Sequence, residues 1–178
     1  LKDRGYAVTG SDEDVHPPVT DLLDGYGIPY VEGHRAENLG EPLPDMVVVG
    51  NHAAVDNPEV LAAREKGLPI LSLPQMLHEL LADYRPIVIT GTHGKTSTCS
   101  LLAWLLERAG LDPSFMVGGI PRNLGVNTKL GSGDLFLLEG DEYLSAKFDR
   151  TSKFLYYRPH VAVVMNVALD HINFFRSQ

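Results

Sequence analysis

The run Thr90-Gly91-Thr92-His93-Gly94-Lys95-Thr96-Ser97 brings together the residue types that bind a chain of phosphates. Gly91 and Gly94 let backbone N–H groups turn inward, and a helix starting at Lys95 adds the positive end of its dipole. Lys95 supplies a charge to neutralise phosphate, and Thr96 offers a hydroxyl to Mg²⁺. Thr92, His93 and Ser97 complete the loop, with His93 read as a backbone-orienting or solvent-facing residue rather than a base. The spacing is a compact form of G-x-x-x-x-G-K-[ST], opened by Gly91. The competing reading is a chance glycine turn before an amphipathic helix. Strand, loop, Lys-Thr pair and helix all fall in register, which counts against it. A nucleoside triphosphate site is expected, with the reaction left open, because motors, kinases, GTPases and ligases share such loops.

Two further clusters follow apolar runs, at the strand ends where open parallel sheets place their ligands. Glu139-Gly140-Asp141-Glu142 comes after Leu135–Leu138. Carboxylates there can hold Mg²⁺ opposite a phosphate loop, and the competing reading is a solvated acidic turn. Asn166-Val167-Ala168-Leu169-Asp170-His171 comes after Val161–Met165. Histidine is an unusual Mg²⁺ ligand, so composition alone favours a capping or catalytic role for His171.

The elements that must position these residues read as an α/β chain. Strands are expected at Tyr6–Thr9, Pro29–Glu32, Met46–Gly50 and Ile70–Leu73, with helices at Val19–Tyr26 and Pro58–Lys66. Asn57 is the expected cap of the second helix, with Pro58 at its first position and Gly67 as its stop. Ser72 caps a further helix to about Asp83. Strands with unbroken apolar runs indicate a parallel sheet covered on both faces. A second unit starts near Arg85 with strand Pro86–Thr90, helix Lys95–Ala109 and strands Phe115–Val117, Leu135–Glu139 and Val161–Asn166. Leu101, Leu102, Leu105, Leu106 and Ala109 form the expected apolar stripe of that helix. The expected organisation is a truncated Rossmann-like parallel-sheet domain over residues 1–83, followed by the first part of a P-loop ATPase-type α/β domain over residues 84–178. Leu1–Arg4 reads as the tail of a helix closed by Gly5, so an internal fragment that has lost the element before it is expected.

Composition bounds the partners. The 178 residues carry a net charge of −8, with 44% hydrophobic and 21% charged side chains. That balance fits a globular chain and argues against nucleic-acid coating, which needs clustered Lys and Arg. No apolar run approaches the ~20 residues of a membrane span. A single cysteine, Cys99, forbids an internal disulfide and fits a reducing cytoplasm. Cys99 itself reads as a buried, inert thiol.

With these residues assembled, TGTHGKTST, LLEGDEY and NVALDH, the chain resembles the Mur ligase family. That family joins amino acids or peptides to UDP-muramyl precursors at the expense of ATP. The resemblance implies cytoplasmic peptidoglycan chemistry with ATP and Mg²⁺. ATP would phosphorylate the lactyl carboxylate of UDP-N-acetylmuramate, and an amine would displace phosphate from the resulting acyl phosphate. It implies that Lys95 meets the phosphates, that Thr96 and Glu142 hold Mg²⁺, and that His171 holds a second Mg²⁺. Asp12, Asn51 and His52 would lie near the UDP-sugar in residues 1–83, and Asn123 would face the muramyl or peptide side. Ser145-Ala146-Lys147-Phe148-Asp149, Ser152-Lys153-Phe154 and Tyr157-Arg158-Pro159 resemble the branch that uses the tripeptide L-Ala-γ-D-Glu-meso-diaminopimelate. The branch that uses L-alanine and a non-catalytic nucleotide-binding module are the alternatives. A C-terminal acceptor domain is expected to lie outside these residues, so the chain alone is expected to be inactive.

Overall fold

The computed structural model describes residues 1–168. The chain divides into two compact units, Leu1–Leu71 and Ser72–Gln178.

In the first unit a single 3₁₀ turn, Lys2–Arg4, is closed by Gly5 at φ 87°. Strand β1 (Gly10–Asp12) pairs in parallel with β2 (Tyr30–Glu32), and helix α1 (Val19–Gly25) connects them. Pairing starts later than the expected Tyr6–Thr9, because the first rung is the Gly10 N–H donating to Pro29 O at 3.0 Å. Strand β3 (Val47–Val49) is hydrogen-bonded to β4 (Ile70–Ser72), and α2 (Pro58–Glu65) lies between them in sequence. The Asn57 side chain caps α2, accepting from the N–H groups of Glu59 at 2.9 Å and Val60 at 3.2 Å. Val60, Ala62 and Ala63 bury the inner face of this helix. The strands form two separate pairs rather than the single covered sheet that was expected. Each strand has three residues, and β1 and β2 are mostly exposed.

In the second unit α3 (Leu73–Leu80) opens with a capping box between Ser72 and Gln75. The central sheet contains β5 (Arg85–Thr90), β6 (Ser114–Met116), β7 (Thr128–Lys129), β8 (Leu135–Gly140) and β11 (Val161–Val164). Its order is β11-β5-β8-β6-β7, parallel throughout except for β7. Helix α4 (Lys95–Arg108) follows β5, and the short antiparallel pair β9 (Leu144–Ala146) and β10 (Asp149–Ser152) follows β8.

The two-residue period of β5 and β8 sends neighbouring side chains to opposite faces. Val88, Phe136 and Leu138 pack with Leu77, Leu81 and Tyr157 on one face. Ile89, Leu137 and Phe115 pack with Cys99 and Ala103 of α4 on the other. Both faces are covered, which is why PIVIT and LFLL are unbroken apolar runs. α3 thus packs on the sheet of the second compact unit. The core stripe of α4 is Cys99, Leu102, Ala103 and Leu106, at i, i+3, i+4 and i+7. Leu101 and Leu105, expected on that stripe, are exposed.

Candidate nucleotide-phosphate site

The loop between β5 and α4 sits where three parallel strands end together. Thr90 pairs with Gly140 of β8 on one side and with Val164 of β11 on the other. The Thr90 hydroxyl donates to Gly140 O at 2.7 Å, which ties the loop's entry to the start of the acidic turn. Gly91 has φ 132° and Gly94 φ 82°, conformations that side-chain-bearing residues rarely adopt. At Gly91 a Cβ would also stand 2.9 Å from Asn166 O and 3.0 Å from Asn166 N. Gly94 is the N-cap of α4 and brings no side chain to its first turn. Thr96 and Ser97 are exposed in that turn.

Lys95 curls back over the loop. Its Nζ donates to Gly91 O at 2.7 Å, to Thr92 O at 3.4 Å and to Glu142 Oε2 at 3.1 Å. The two side chains are only 12% and 19% exposed, so the acidic turn is not a solvated one at Glu142. Lys153 reaches Asp141 at 3.5 Å, and its backbone N–H donates to Tyr143 O at 3.1 Å, anchoring the turn to the end of β10. Before the turn, Glu139 Oε2 accepts from the Gly118 N–H at 2.9 Å, while its buried Oε1 has no partner among the described residues. Burial, reinforced by the Glu139 charge, pushes the Cys99 thiol up to about 12. It stays protonated at neutral pH, an inert core group.

The donors present suit Mg²⁺ and a nucleotide. Glu142 and Thr96 offer oxygen only, which matches a hard cation. No group of three or more His, Cys, Asp or Glu residues that could hold a metal occurs among the described residues. Mg²⁺ does not require one, since it binds through one or two carboxylates with phosphate oxygens and waters. The expected His171 lies outside the described residues.

Asn166 opens the expected Asn166–His171 cluster, where sequence alone gives it no role of its own. Its side chain bonds to the backbone of His93 twice, accepting the N–H at 2.9 Å and donating to the carbonyl at 3.0 Å. Its position just past the apolar run Val161–Met165 was the available signal.

The three residues expected near the UDP-sugar meet in the first unit. Asp12, Asn51 and His52 line one cleft of about 460 Å³. They do so because β1 and β3 end there. Glu59, which sequence reasoning missed, organises this cleft from the first turn of α2. It accepts from Ser11 Oγ and from Asn38 Nδ2, both at 2.6 Å, and lies 3.5 Å from His34 Nδ1. Asn123 lies in the second unit, in the turn where Leu124 and Gly125 N–H groups donate to Pro121 O.

A glycine loop joining a buried parallel strand to a helix, with a lysine–carboxylate pair over it, defines an α/β protein of the phosphate-loop type. The chain belongs to the Mur ligase family: residues 1–85 match the Mur ligase family catalytic domain, and residues 89–178 match the Mur ligase middle domain. It is 44% identical, over 96% of its length, to UDP-N-acetylmuramate–L-alanyl-γ-D-glutamyl-meso-2,6-diaminoheptandioate ligase of Escherichia coli (strain K12), and covers 37% of that protein. It is 41% identical, over 98% of its length, to UDP-N-acetylmuramate–L-alanine ligase of Desulfosudis oleivorans, covering 36% of it. The crystal structure of UDP-N-acetylmuramate:L-alanyl-γ-D-glutamyl-meso-diaminopimelate ligase from Neisseria meningitides superposes with a TM-score of 0.90 at 41% identity. That superposition covers 98% of this chain and 57% of the other. The chain thus spans well under half the length of the curated relatives it matches.

Proposed function

We propose that this chain carries the UDP-sugar and ATP-binding parts of a cytoplasmic ligase that forms an amide on UDP-N-acetylmuramate. Residues 1–83 take the UDP-sugar in the cleft of Asp12, Asn51 and His52, and residues 84–178 take ATP with Mg²⁺. The observation that carries the reading is the Lys95–Glu142 pair at 3.1 Å beside the glycine loop, a cation for phosphate and an anion for its metal. ATP, when bound, supplies the phosphoryl group that makes the lactyl carboxylate an acyl phosphate. The incoming amine then displaces phosphate from the carbonyl carbon and gives up its proton to solvent.

The chain's own residues prepare that transfer. Gly91 and Gly94 keep the loop backbone open to the phosphates. Lys95 exchanges its contacts to Gly91 O and Thr92 O for phosphate oxygens, countering charge as it develops on the transferred group. Thr96 and Glu142 hold Mg²⁺, and His171 holds a second Mg²⁺. Asn123 meets the muramyl or peptide side.

The amine is L-Ala-γ-D-Glu-meso-diaminopimelate. What supports this choice is 44% identity to a relative named for that tripeptide, against 41–43% to several named for L-alanine, and a TM-score of 0.90 to a structure named for the tripeptide, against 0.82 to one named for alanine. The deciding experiment measures phosphate release by the full-length protein with Mg·ATP and UDP-N-acetylmuramate, adding either tripeptide or L-alanine. Release that depends on tripeptide supports the reading, and release with L-alanine instead transfers it to the other branch. Nucleotide binding with no release under either amine would make the protein a non-catalytic binding module.

A further inference from the structure

A glycine loop is costly to order, because its backbone has the most freedom to lose. Something must therefore hold residues 91–94 in one shape. Helix α4 holds only the far end, and the ladder of β5 ends at Thr90. Lys95 Nζ holds the carbonyls of Gly91 and Thr92, and the remaining backbone–backbone contacts come from the segment leaving β11. Met165 N–H donates to Thr90 O at 3.0 Å, and Thr92 N–H donates to Asn166 O at 3.1 Å. The Asn166 side chain then extends this pairing by one residue. Its amide acts as a second peptide unit, offering Oδ1 to the His93 N–H and Nδ2 to the His93 carbonyl. Gly91 fits the same arrangement, since the backbone of Asn166 fills the space a Cβ would need.

The geometry points to Asn166 as the positioning residue of the phosphate loop, acting through the two peptide planes that flank His93. This rests on the phosphate-site reading above. A trans peptide directs its C=O and its following N–H to opposite sides. With the His93 N–H turned toward Asn166, the carbonyl of Thr92 faces away from it, where Lys95 Nζ meets it at 3.4 Å. With the His93 carbonyl also turned toward Asn166, the Gly94 N–H faces away too. Both planes thus present their free ends away from Asn166, and for the first of them Lys95 lies on that side. Asn166 touches no phosphate in this arrangement. It sets the direction of the donor that does.

The test uses the full-length protein, with Asn166→Ala and Asn166→Asp, and a non-hydrolysable ATP analogue with Mg²⁺ titrated calorimetrically. Amide exchange is followed in parallel at His93 and across β5 and β8. Losing two neutral hydrogen bonds weakens nucleotide binding roughly tenfold in Asn166→Ala. Exchange at His93 accelerates in that variant while β5 and β8 keep wild-type protection. Asn166→Asp keeps an acceptor for the His93 N–H and restores protection there, which a purely structural loss would not do. Wild-type binding that Asn166→Ala leaves unchanged overturns this inference alone, as does an equal loss of protection throughout β5 and β8. A wild-type protein that binds no Mg-nucleotide overturns the phosphate-site reading, and this inference with it.

Discussion

Lys95 Nζ stands 3.1 Å from Glu142 Oε2 across the mouth of the glycine loop, and both side chains are largely buried. A buried ion pair is weak evidence for stability, because desolvation offsets much of the attraction. Its position at the ends of β5 and β8 suggests a different use. The pair holds each group ready while two loop carbonyls satisfy the remaining lysine protons. Under the proposed function, phosphate and metal then replace partners already in place.

Removing the cation should therefore cost turnover more than fold. In the full-length enzyme, Lys95→Ala is expected to lower phosphate release by about 10²–10³ or more, the scale of one preorganised charge-stabilising donor. Steady-state rates of the variant and wild type give the comparison, and equal rates would remove Lys95 from the mechanism.

Glu142→Gln separates the two roles of the carboxylate. It removes a negative charge beside the phosphates and weakens a hard-cation ligand at the same time. Nucleotide affinity measured in chelator should rise in the variant, while the gain in affinity on adding Mg²⁺ should shrink by roughly tenfold, the size of losing one charged contact. An unchanged Mg²⁺ gain would place the metal elsewhere.

Gly91→Ala combines a strained φ of 132° with contacts of 2.9 and 3.0 Å to the backbone of Asn166. Backbone strain of this kind costs about 1–3 kcal/mol. The variant should melt at a lower temperature and lose nucleotide affinity together. Gly10→Ala meets nothing within 4 Å and has no positive φ, so its melting temperature should stay near wild type.

The elements that sequence disclosed well are those whose pattern is local. PIVIT, LFLL and the Lys95 helix declare themselves through unbroken apolar runs and a glycine loop, and the structure has all three. Tyr6–Thr9 looked equally strand-like, but a strand exists only where another chain segment pairs with it, and pairing begins at Gly10. Helix α3 showed its cap and stripe, yet which unit the stripe faces depends on Val88 and Leu138, far along the chain. That Lys95, Glu142 and the glycines would come together could be read from residue type and spacing, and the structure does bring them together. Glu59 and Asn166 were not legible, because each acts through contacts with residues 48 and 73 positions away.

The Asn57 cap offers a test of the first unit alone. Its Oδ1 satisfies two N–H groups of α2, and Asn57 is buried. Asn57→Ala should destabilise that unit by about 1 kcal/mol, within the 0.5–2 kcal/mol range for helix N-caps. Asn57→Asp retains the acceptor and should recover most of the loss in chemical denaturation. Equal loss in both variants would mean that the cap bond is not what the position contributes.

Cys99 gives the pH dependence a defined sign. Burial, with the Glu139 charge behind it, raises the thiol from 9.0 to about 12 in the folded chain. The folded state therefore binds the thiol proton more tightly than the unfolded state does. Its contribution to stability is fully present below about pH 9 and is lost as pH rises toward about 12. Denaturation midpoints of the wild type should fall across that alkaline window more steeply than those of Cys99→Ala, which has no thiol to ionise. The same burial makes native Cys99 slow toward a thiol reagent at pH 8, since the thiolate is the reactive form and is scarce there. Rapid labelling of the folded protein at that pH, without denaturant, would show that the second core cluster opens far more readily than the packing of Ile89, Phe115 and Leu137 around it implies.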